Sequence, residues 1–305
     1  MGNRLSIYVT GIICVFISAL MYAFLPVLGK FAYESGLTPA STLLLRYAFA
    51  FIILSIYILI MTKDTVINKS PLVLIQGFIL TLGGLSFFHA LEYLPAGLAT
   101  VLLFTYPVIV ALLATVFYKE KLTLNLIIGL LLALSGIALI SGIGTIETIS
   151  PMGFFYALLA GIFIAIYSFL GQQTLVNASP ISLTATFSLI ATLVISITNP
   201  SELVYLTQLT YYQIAIGLAL AVISTILAIV FFLLGVKKIG ASKASLVSTL
   251  EPCLAVLVAF LLLGEVLTTY ELIGAALILS SMFSTILGAR KEAIHNSNIS
   301  KKLAS

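Results

Sequence analysis

Long runs of apolar residues, separated by short polar stretches, make up almost the whole chain. Such runs are typical of membrane-spanning helices, which need about 20 apolar residues to cross a bilayer core. A β-barrel would instead need alternating segments of about 10 residues, whereas FAFIILSIYILIM (49–61) is continuous. The pattern therefore predicts an all-α membrane protein with ten spans, at approximately residues 7–29, 40–62, 72–91, 97–118, 124–143, 152–173, 181–198, 210–235, 244–263 and 270–289.

Composition supports the membrane class. The chain is 61% hydrophobic and only 8% charged, against about 25% charged residues in soluble domains. The short loops leave no room for a soluble domain. The first apolar run is too long for a signal peptide and lacks a small-residue cleavage site, so we expect an uncleaved first span.

Four predicted spans begin with a hydroxyl residue followed by proline. A Ser or Thr side chain can accept a hydrogen bond from a free backbone N–H at a helix start, and proline in the first turn needs no donor. These hydroxyl-proline pairs support the span count independently of hydropathy. It occurs at Thr38-Pro39, Ser70-Pro71, Ser150-Pro151 and Ser179-Pro180.

The basic residues predict the orientation. If the N-terminus is cytoplasmic, nearly all of them fall on the cytoplasmic side, where Lys and Arg are enriched in membrane proteins. The inner set is Arg4, Lys63, Lys69, Lys119, Lys121, Lys237, Lys238, Lys243, Arg290, Lys291, Lys301 and Lys302, and the outer side receives only Lys30. We therefore expect both termini in the cytoplasm. We attribute the excess of basic residues to this orientation and expect no nucleic-acid binding.

Two related halves are visible at an offset of 145 residues. Tyr106-Pro107 matches Glu251-Pro252, and YAFL (22–25) matches YSFL (167–170). The further matches at this offset pair Ala96 with Ala241, Ala99 with Ala244, Glu120 with Glu265, Leu122 with Leu267, Thr123 with Thr268 and Gly129 with Gly274. We predict a first repeat at 1–145, a second at 150–290 and a cytoplasmic tail at 291–305. Five spans is an odd number, so the second half is inverted, as in many secondary transporters.

Glu251 and Pro252 lie near the middle of predicted span 9. A charge at that depth is costly and usually faces the bundle interior, and proline removes a backbone hydrogen bond and kinks the helix. Pro107 predicts a matching kink in span 4, and Pro26 one in span 1. Glu251 either binds the cationic part of a substrate, carries a proton, or is a fixed partner for a buried donor.

Arg46 and His89 are the other ionisable candidates within predicted spans. Arg46 can extend outward to the interface, hold a carboxylate or phosphate in the cavity, or pair with Glu251. His89, near the outer end of span 3, can relay protons, bind substrate or simply pack. No second histidine lies in a span, so no metal site is expected.

Neutral polar groups complete the candidate set. Tyr22, Tyr106, Tyr167 and Gln172 are candidate substrate contacts, with ordinary packing as the alternative. Small residues in spans 5 and 10, namely Gly129, Ala133, Gly136 and Gly274, predict close helix packing, either within the chain or in a dimer. The sequence contains no Gly-rich phosphate loop, HExxH, GxSxG or paired aspartate motif. We therefore expect no enzyme activity and no cofactor.

Two segments resemble a known family. LPAGLATVLLFTYPVIVALLATVFYKEKLTLNLIIGLLLALSGI (94–137) resembles the first EamA repeat, and KIGASKASLVSTLEPCLAVLVAFLLLGEVLTTYELIGAALIL (238–279) is similar to the second. The chain thus resembles a bacterial member of the drug/metabolite transporter superfamily. The resemblance implies ten helices in two inverted five-helix halves, a central cavity, alternating access, and spans 5 and 10 at the periphery.

The expected function is export of a small metabolite, such as an amino acid, across the inner membrane, with protons or a counter-substrate as possible partners. The expected assembly is a monomer or homodimer in the lipid bilayer. Multidrug efflux is the transport variant of this hypothesis, and a non-transporting membrane binding or sensory protein is the alternative from another class.

Overall fold

The first half of the chain forms five apolar helical spans. The computed structural model describes residues 2–62, 64–94, 96–119, 123–140, 150–264, 268–281 and 284. Span 1 consists of the helices Gly2–Ala23 and Leu25–Glu34, span 2 is Pro39–Met61, span 3 is Pro71–Tyr93, span 4 consists of Ala96–Leu103 and Tyr106–Tyr118, and span 5 is Leu124–Ile140.

The second half repeats this arrangement. Span 6 is Pro151–Thr174, span 7 is Pro180–Thr198, span 8 runs through Tyr211–Ala221, a π-helical segment Val222–Leu227 and Ala228–Ile239, span 9 consists of Ala241–Val247 and Leu250–Leu263, and span 10 is Thr269–Ser281. A short helix, Pro200–Tyr205, precedes span 8. Eight spans are long and apolar enough to cross a membrane, and spans 5 and 10 are shorter apolar helices within the described residues.

The ten-helix prediction is therefore confirmed, and the span boundaries differ from the predicted ones by only a few residues. Span 1 differs most, because it runs from Gly2 to Glu34, and span 8 continues to Ile239. The end of predicted span 10, the repeat matches at Glu120, Leu122, Glu265 and Leu267, and the tail 291–305 lie outside the described residues.

Three of the four predicted hydroxyl caps are made. The Thr38 side chain accepts a hydrogen bond from the Ser41 N–H, Ser150 from the Gly153 N–H, and Ser179 from the Ser182 N–H. Ser70 occupies the cap position of span 3, but its side chain makes no capping hydrogen bond. Its backbone N–H bonds the Asn68 side chain at 3.0 Å, so this helix start is held by a local turn.

Packing between the spans follows the inverted repeat. Span 3 packs along span 6, and its repeat equivalent, span 8, packs along span 1. Likewise span 6 contacts span 4 as span 1 contacts span 9, and span 7 contacts span 3 as span 2 contacts span 8. Spans 2 and 7, which are equivalent to each other, pack together. Interchanging the two halves converts each of these span contacts into its equivalent. Both halves therefore contribute to one centre.

The outer surface of the bundle is apolar. Side chains such as Leu59, Ile60, Val116 and Ile197 are each more than 70% exposed. So many large exposed apolar residues are unusual for a soluble monomer. They suit contact with lipid, and with the eight long spans they define a multi-pass membrane protein.

Spans 5 and 10 meet through their glycines. A methyl group added at Gly136 would lie 2.5 Å from the backbone oxygen of Gly274, and one added at Gly274 would lie 2.5 Å from the backbone oxygen of Gly136. Such close backbone approach is possible only for small residues. The predicted small-residue packing thus operates within one chain at this point.

We predict that Gly136→Ala separates these two helices and lowers stability by about 1–3 kcal/mol, the usual cost of overpacking. Gly84→Ala in span 3 is the matched control, because a methyl group there would meet nothing within 4 Å and alanine favours helix by about 0.5–1 kcal/mol. Thermal unfolding of the purified variants in detergent measures both. Equal melting temperatures would contradict the close contact.

Candidate functional site

Three spans are interrupted close to a proline. The helix of span 1 stops at Ala23 and restarts at Leu25, just before Pro26. Span 4 is interrupted at residues 104–105, before Pro107, and span 9 at 248–249, before Pro252. Because proline cannot donate a backbone hydrogen bond and disfavours helix in the preceding residue, these breaks lie where the sequence predicts kinks.

The breaks in spans 4 and 9 are closed in the same way. The Thr105 hydroxyl donates to the Leu102 carbonyl at 2.7 Å, and the Thr249 hydroxyl donates to the Leu246 carbonyl at 2.7 Å. Span 6 approaches the first break closely, because a methyl group on Gly161 would lie 3.1 Å from the Leu103 carbonyl oxygen. Irregular backbone at membrane depth is thus covered by protein.

Arg46 points into the bundle from span 2 and is 6% exposed. Its Nε donates to the Thr225 hydroxyl at 2.6 Å, and its Nη2 donates to the Ser224 carbonyl at 2.6 Å. Its guanidinium carbon also lies 5.1 Å from the centroid of the Tyr47 ring. The side chain therefore joins the first half to the second and does not extend to the outer interface.

The acceptors for Arg46 come from the π-helical segment of span 8. Widening a helical turn to i→i+5 bonding displaces backbone carbonyls from the α-helical ladder, and such segments are frequent at functional sites. Thr225 illustrates the displacement, because its hydroxyl donates to the Leu220 carbonyl, five residues earlier, at 3.2 Å. The π-helical segment thus supplies hydrogen-bond acceptors, and Arg46 supplies the donors.

Glu251 lies at the start of the second helix of span 9 and is partly buried. Its charge interacts with that of Arg46, and Tyr22 and Tyr106 are within electrostatic range of it. Among the described residues, its carboxylate has no hydrogen bond and no ion pair within 4.0 Å. Arg46 and Glu251 are therefore neighbours that do not touch.

Tyrosines border this pair. Tyr22 lies within electrostatic range of Arg46, Tyr47 and Glu251. The Tyr106 hydroxyl lies 3.5 Å from the Ser245 carbonyl, to which it donates. These residues belong to spans 1, 2, 4 and 9, so both halves build one polar centre in the bundle.

Tyr167 borders the same centre from span 6, within electrostatic range of Tyr22 and Tyr106. Its ring stacks at 6.3 Å on Phe232 and meets Phe187 edge-on at 5.7 Å. Its hydroxyl is buried and has no hydrogen-bond partner among the described residues. An unsatisfied buried hydroxyl is costly.

The two halves carry chemically different side chains at equivalent positions of this centre. At the offset of 145 residues, Tyr22 is equivalent to Tyr167 and Tyr106 to Glu251. Arg46 is equivalent to Phe187 at an offset of 141, which aligns Thr38-Pro39 with Ser179-Pro180. One symmetry-related set therefore carries two opposite charges, whereas the other is aromatic. A bound molecule would meet a charged wall and an aromatic wall.

Two predicted site residues lie elsewhere. Gln172 accepts a hydrogen bond from the Ala241 N–H at 3.0 Å, which ties span 6 to the start of span 9. His89 is exposed at the end of span 3, where its Nδ1 lies 3.4 Å from Glu92 and its ring 5.5 Å from that of Tyr156. The described residues contain no group of side chains suited to a metal ion.

A polar pocket of about 330 Å³ opens at one end of the bundle, between the loop that joins spans 2 and 3 and the loop that joins spans 6 and 7. Its charged lining residues are Asp64 and Lys237. Beside it, the Ser182 hydroxyl donates to the Thr65 carbonyl at 2.6 Å and the Asn68 N–H to the Thr186 hydroxyl at 2.9 Å. These bonds hold the loop of one half on span 7 of the other.

We predict that Thr225→Val lowers stability by about 1.5–3 kcal/mol, the range for hydrogen bonds to charged groups. Valine keeps the shape of threonine but cannot accept from Arg46. Thr184→Val is the matched control, because Thr184 is equally buried but bonds only the Pro180 carbonyl of its own helix. Unfolding in detergent should show a clearly larger loss for Thr225. Equal losses would mean that the Arg46 contact contributes nothing.

The inverted repeat and its buried polar centre define the class of multi-pass membrane transport proteins. The EamA-like transporter family model matches residues 9–142 and 151–287. The chain therefore belongs to the EamA-like transporter family.

Curated relatives are transporters by name. An uncharacterized transporter of Synechocystis is 28% identical over 68% of this chain, and the aligned part covers 63% of that transporter, less than two thirds of its length. The uncharacterized transporter YyaM of Bacillus subtilis is 26% identical over 79% of this chain and 82% of its own. The threonine/homoserine exporter RhtA of Escherichia coli is 27% identical over 70% of each chain.

One crystal structure matches with a TM-score of 0.77 over 91% of this chain and 98% of that chain. The sequence identity is 16%, so this likeness shows the fold alone.

Proposed function

We propose that this chain is a secondary transporter that exports amino acids or related small polar metabolites by alternating access. The observation that carries the proposal is the centre between the halves, where Arg46 and Glu251 lie together without a direct contact. Ionisable groups inside a membrane bundle usually mark a substrate or ion pathway. Inverted-repeat transporters bind their substrates between the halves, near the membrane midplane.

The relatives support the direction and the substrate class. RhtA of Escherichia coli is named as an exporter of threonine and homoserine, and both compounds carry an ammonium and a carboxylate. The centre of this chain contains one cationic group, Arg46, and one anionic group, Glu251, together with tyrosine hydroxyls and aromatic rings.

The basic residues support a cytoplasmic-membrane location with both termini inside. The loop after span 8 and the start of span 9 carry Lys237, Lys238 and Lys243, and this end of the bundle also holds the polar pocket. Under the positive-inside rule it faces the cytoplasm, so the pocket lies on the side from which an exported substrate enters.

The driving force is a proton gradient or a counter-substrate. One elementary charge that crosses the membrane gains about 2.3 kcal/mol per 100 mV, which is enough for uphill export of a neutral zwitterion. Exchange and facilitated diffusion would use the same centre, and they differ in whether uptake requires unlabelled substrate inside the vesicle.

The test is transport by the purified chain in proteoliposomes. Vesicles with and without internal unlabelled L-threonine are diluted into labelled L-threonine, with and without an imposed pH gradient. The measurement is repeated with a mixed metabolite pool and with large organic cations. Ile197→Val serves as the control variant, because Ile197 is 78% exposed on the outer surface of the bundle.

Saturable counterflow above that of empty vesicles is expected, and stimulation by the gradient would assign proton coupling. Tight binding without flux would contradict transport and favour a sensory protein. Flux of large organic cations without any amino acid flux would replace amino acid export with multidrug efflux.

A further inference from the structure

The Arg46 guanidinium has unused hydrogen-bonding capacity. Arginine carries five N–H donors, and two of them are used, on Thr225 and Ser224. Among the described residues the other three have no partner. A guanidinium that is 6% exposed and keeps three donors unpaired is a strong site for a planar anion, because carboxylates bind the arginine fork with two parallel hydrogen bonds.

Glu251 has the complementary deficiency. Its carboxylate accepts no hydrogen bond from any described residue, although its backbone N–H is satisfied by the Ser248 carbonyl at 3.0 Å. A carboxylate offers about four acceptor sites. At membrane depth these acceptors need a donor from water or from a bound molecule.

The two groups are close but do not neutralise each other directly. Arg46 lies within electrostatic range of Glu251, yet the two side chains form no ion pair within 4.0 Å. They also come from different halves, since Arg46 is in span 2 and Glu251 in span 9. A molecule that contacts both would therefore join the two halves.

We propose that this pair is a two-point site for a zwitterion, in which the substrate carboxylate binds the free N–H groups of Arg46 and the substrate ammonium binds Glu251. This inference rests on the proposed function and adds the recognition rule to it. A zwitterion satisfies both protein charges and brings no net charge into the membrane. A compound with only one of the two groups leaves one protein charge unpaired.

Unpaired charge sets the selectivity. Removing one partner of a buried charge pair costs 2 kcal/mol or more, which corresponds to about 30-fold in affinity. We therefore expect L-threonine to bind at least about 30-fold more tightly than L-threonine amide, which lacks the carboxylate, or 2,3-dihydroxybutyrate, which lacks the ammonium. Isothermal titration of the purified full chain measures all three.

Two variants assign each end of the substrate. Arg46→Gln should bind L-threonine and its amide equally, while it still rejects 2,3-dihydroxybutyrate. Glu251→Gln should bind L-threonine and 2,3-dihydroxybutyrate equally, while it still rejects L-threonine amide. This crossed pattern distinguishes recognition from a general structural defect, which would weaken all ligands together. Arg46→Lys, which keeps the charge but loses the fork, is the second variant if Arg46→Gln does not fold.

Each outcome decides the inference. Equal binding of the three ligands by the wild-type chain, no binding of L-threonine, or parallel losses in both variants would overturn it. Counterflow of L-threonine is measured separately. Flux that persists without the crossed pattern would refute this site and leave the export function, whereas selective binding without flux would refute the function and leave the site.

Discussion

Replacing Glu251 with glutamine is expected to lower L-threonine counterflow at least about 30-fold while the melting temperature stays near that of the wild type. Glutamine keeps the size of glutamate but cannot hold a negative charge. The carboxylate makes no hydrogen bond to a described residue, so its replacement breaks no contact that supports the fold. The loss of flux follows from the substrate ammonium, which is left without its partner.

Arg46→Gln is the matched comparison, because Arg46 combines both roles. It should abolish counterflow and also lower stability, since two hydrogen bonds of 2.6 Å to span 8 are lost at about 1.5–3 kcal/mol each. Detergent unfolding and counterflow on the same preparations separate the two effects. Unchanged flux in Glu251→Gln would remove Glu251 from the transport cycle, and a clear drop in its melting temperature would instead make it a structural partner.

The fold was largely predictable because the membrane simplifies it. Only helices satisfy their own backbone in lipid, so the apolar runs of the sequence translate directly into spans. The hydroxyl-proline starts at Thr38, Ser150 and Ser179 fixed three helix ends to within a residue. The halves were visible because Pro107 and Pro252 lie in equivalent positions.

The candidate centre was predictable only in part. Arg46 and Glu251 stand out because ionisable residues within apolar runs are rare, and Tyr22, Tyr106 and Tyr167 also lie in the centre. Gln172 has the same sequence signature but ties span 6 to the start of span 9. Which helical face points inward depends on packing, and spans with few polar residues give weak signals of that face.

The π-helical segment of span 8 was missed. Ser224 and Thr225 form a small polar pair inside an apolar run, which is a faint signal. The widened turn contacts Arg46 of the other half, and a single stretch of sequence does not show that partner. The repeat is also not strictly constant. Thr105 and Thr249 close equivalent breaks but are 144 residues apart, whereas Pro107 and Pro252 are 145 apart. Span 9 therefore has one more residue between the break and its proline.

The two ends of the bundle are closed by equivalent elements of different chemistry. At the end with the polar pocket, the loop between spans 2 and 3 bonds to span 7 through Ser182 and Thr186. At the opposite end, Leu206 of the segment between spans 7 and 8 packs against a cluster that includes Leu43 and Leu44 of span 2. The Gln213 side chain, at the start of span 8, donates to the Ser35 carbonyl before span 2. Alternating access requires these closures to open in turn, because a centre open at both ends would be a channel.

Linking either closure covalently is expected to stop transport completely. We propose Thr65→Cys with Ser182→Cys at the first end and Ser35→Cys with Gln213→Cys at the second, where the Gln213 side chain bonds the Ser35 carbonyl at 2.8 Å. Cys14 and Cys253, the free cysteines among the described residues, are replaced by alanine. A short thiosulfonate cross-linker should reduce counterflow to the level of empty vesicles, and a reductant should restore it.

The single-cysteine variants carry the same reagent without a link, so they separate cross-linking from simple modification and should keep their flux. Loss of flux at both ends means that each closure must open during every cycle, as rocking of the two halves requires. Full flux with a completed link at one end would show that this contact stays closed throughout the cycle. The substrate path would then run elsewhere, and the exchange of equivalent contacts between the halves would not describe the mechanism.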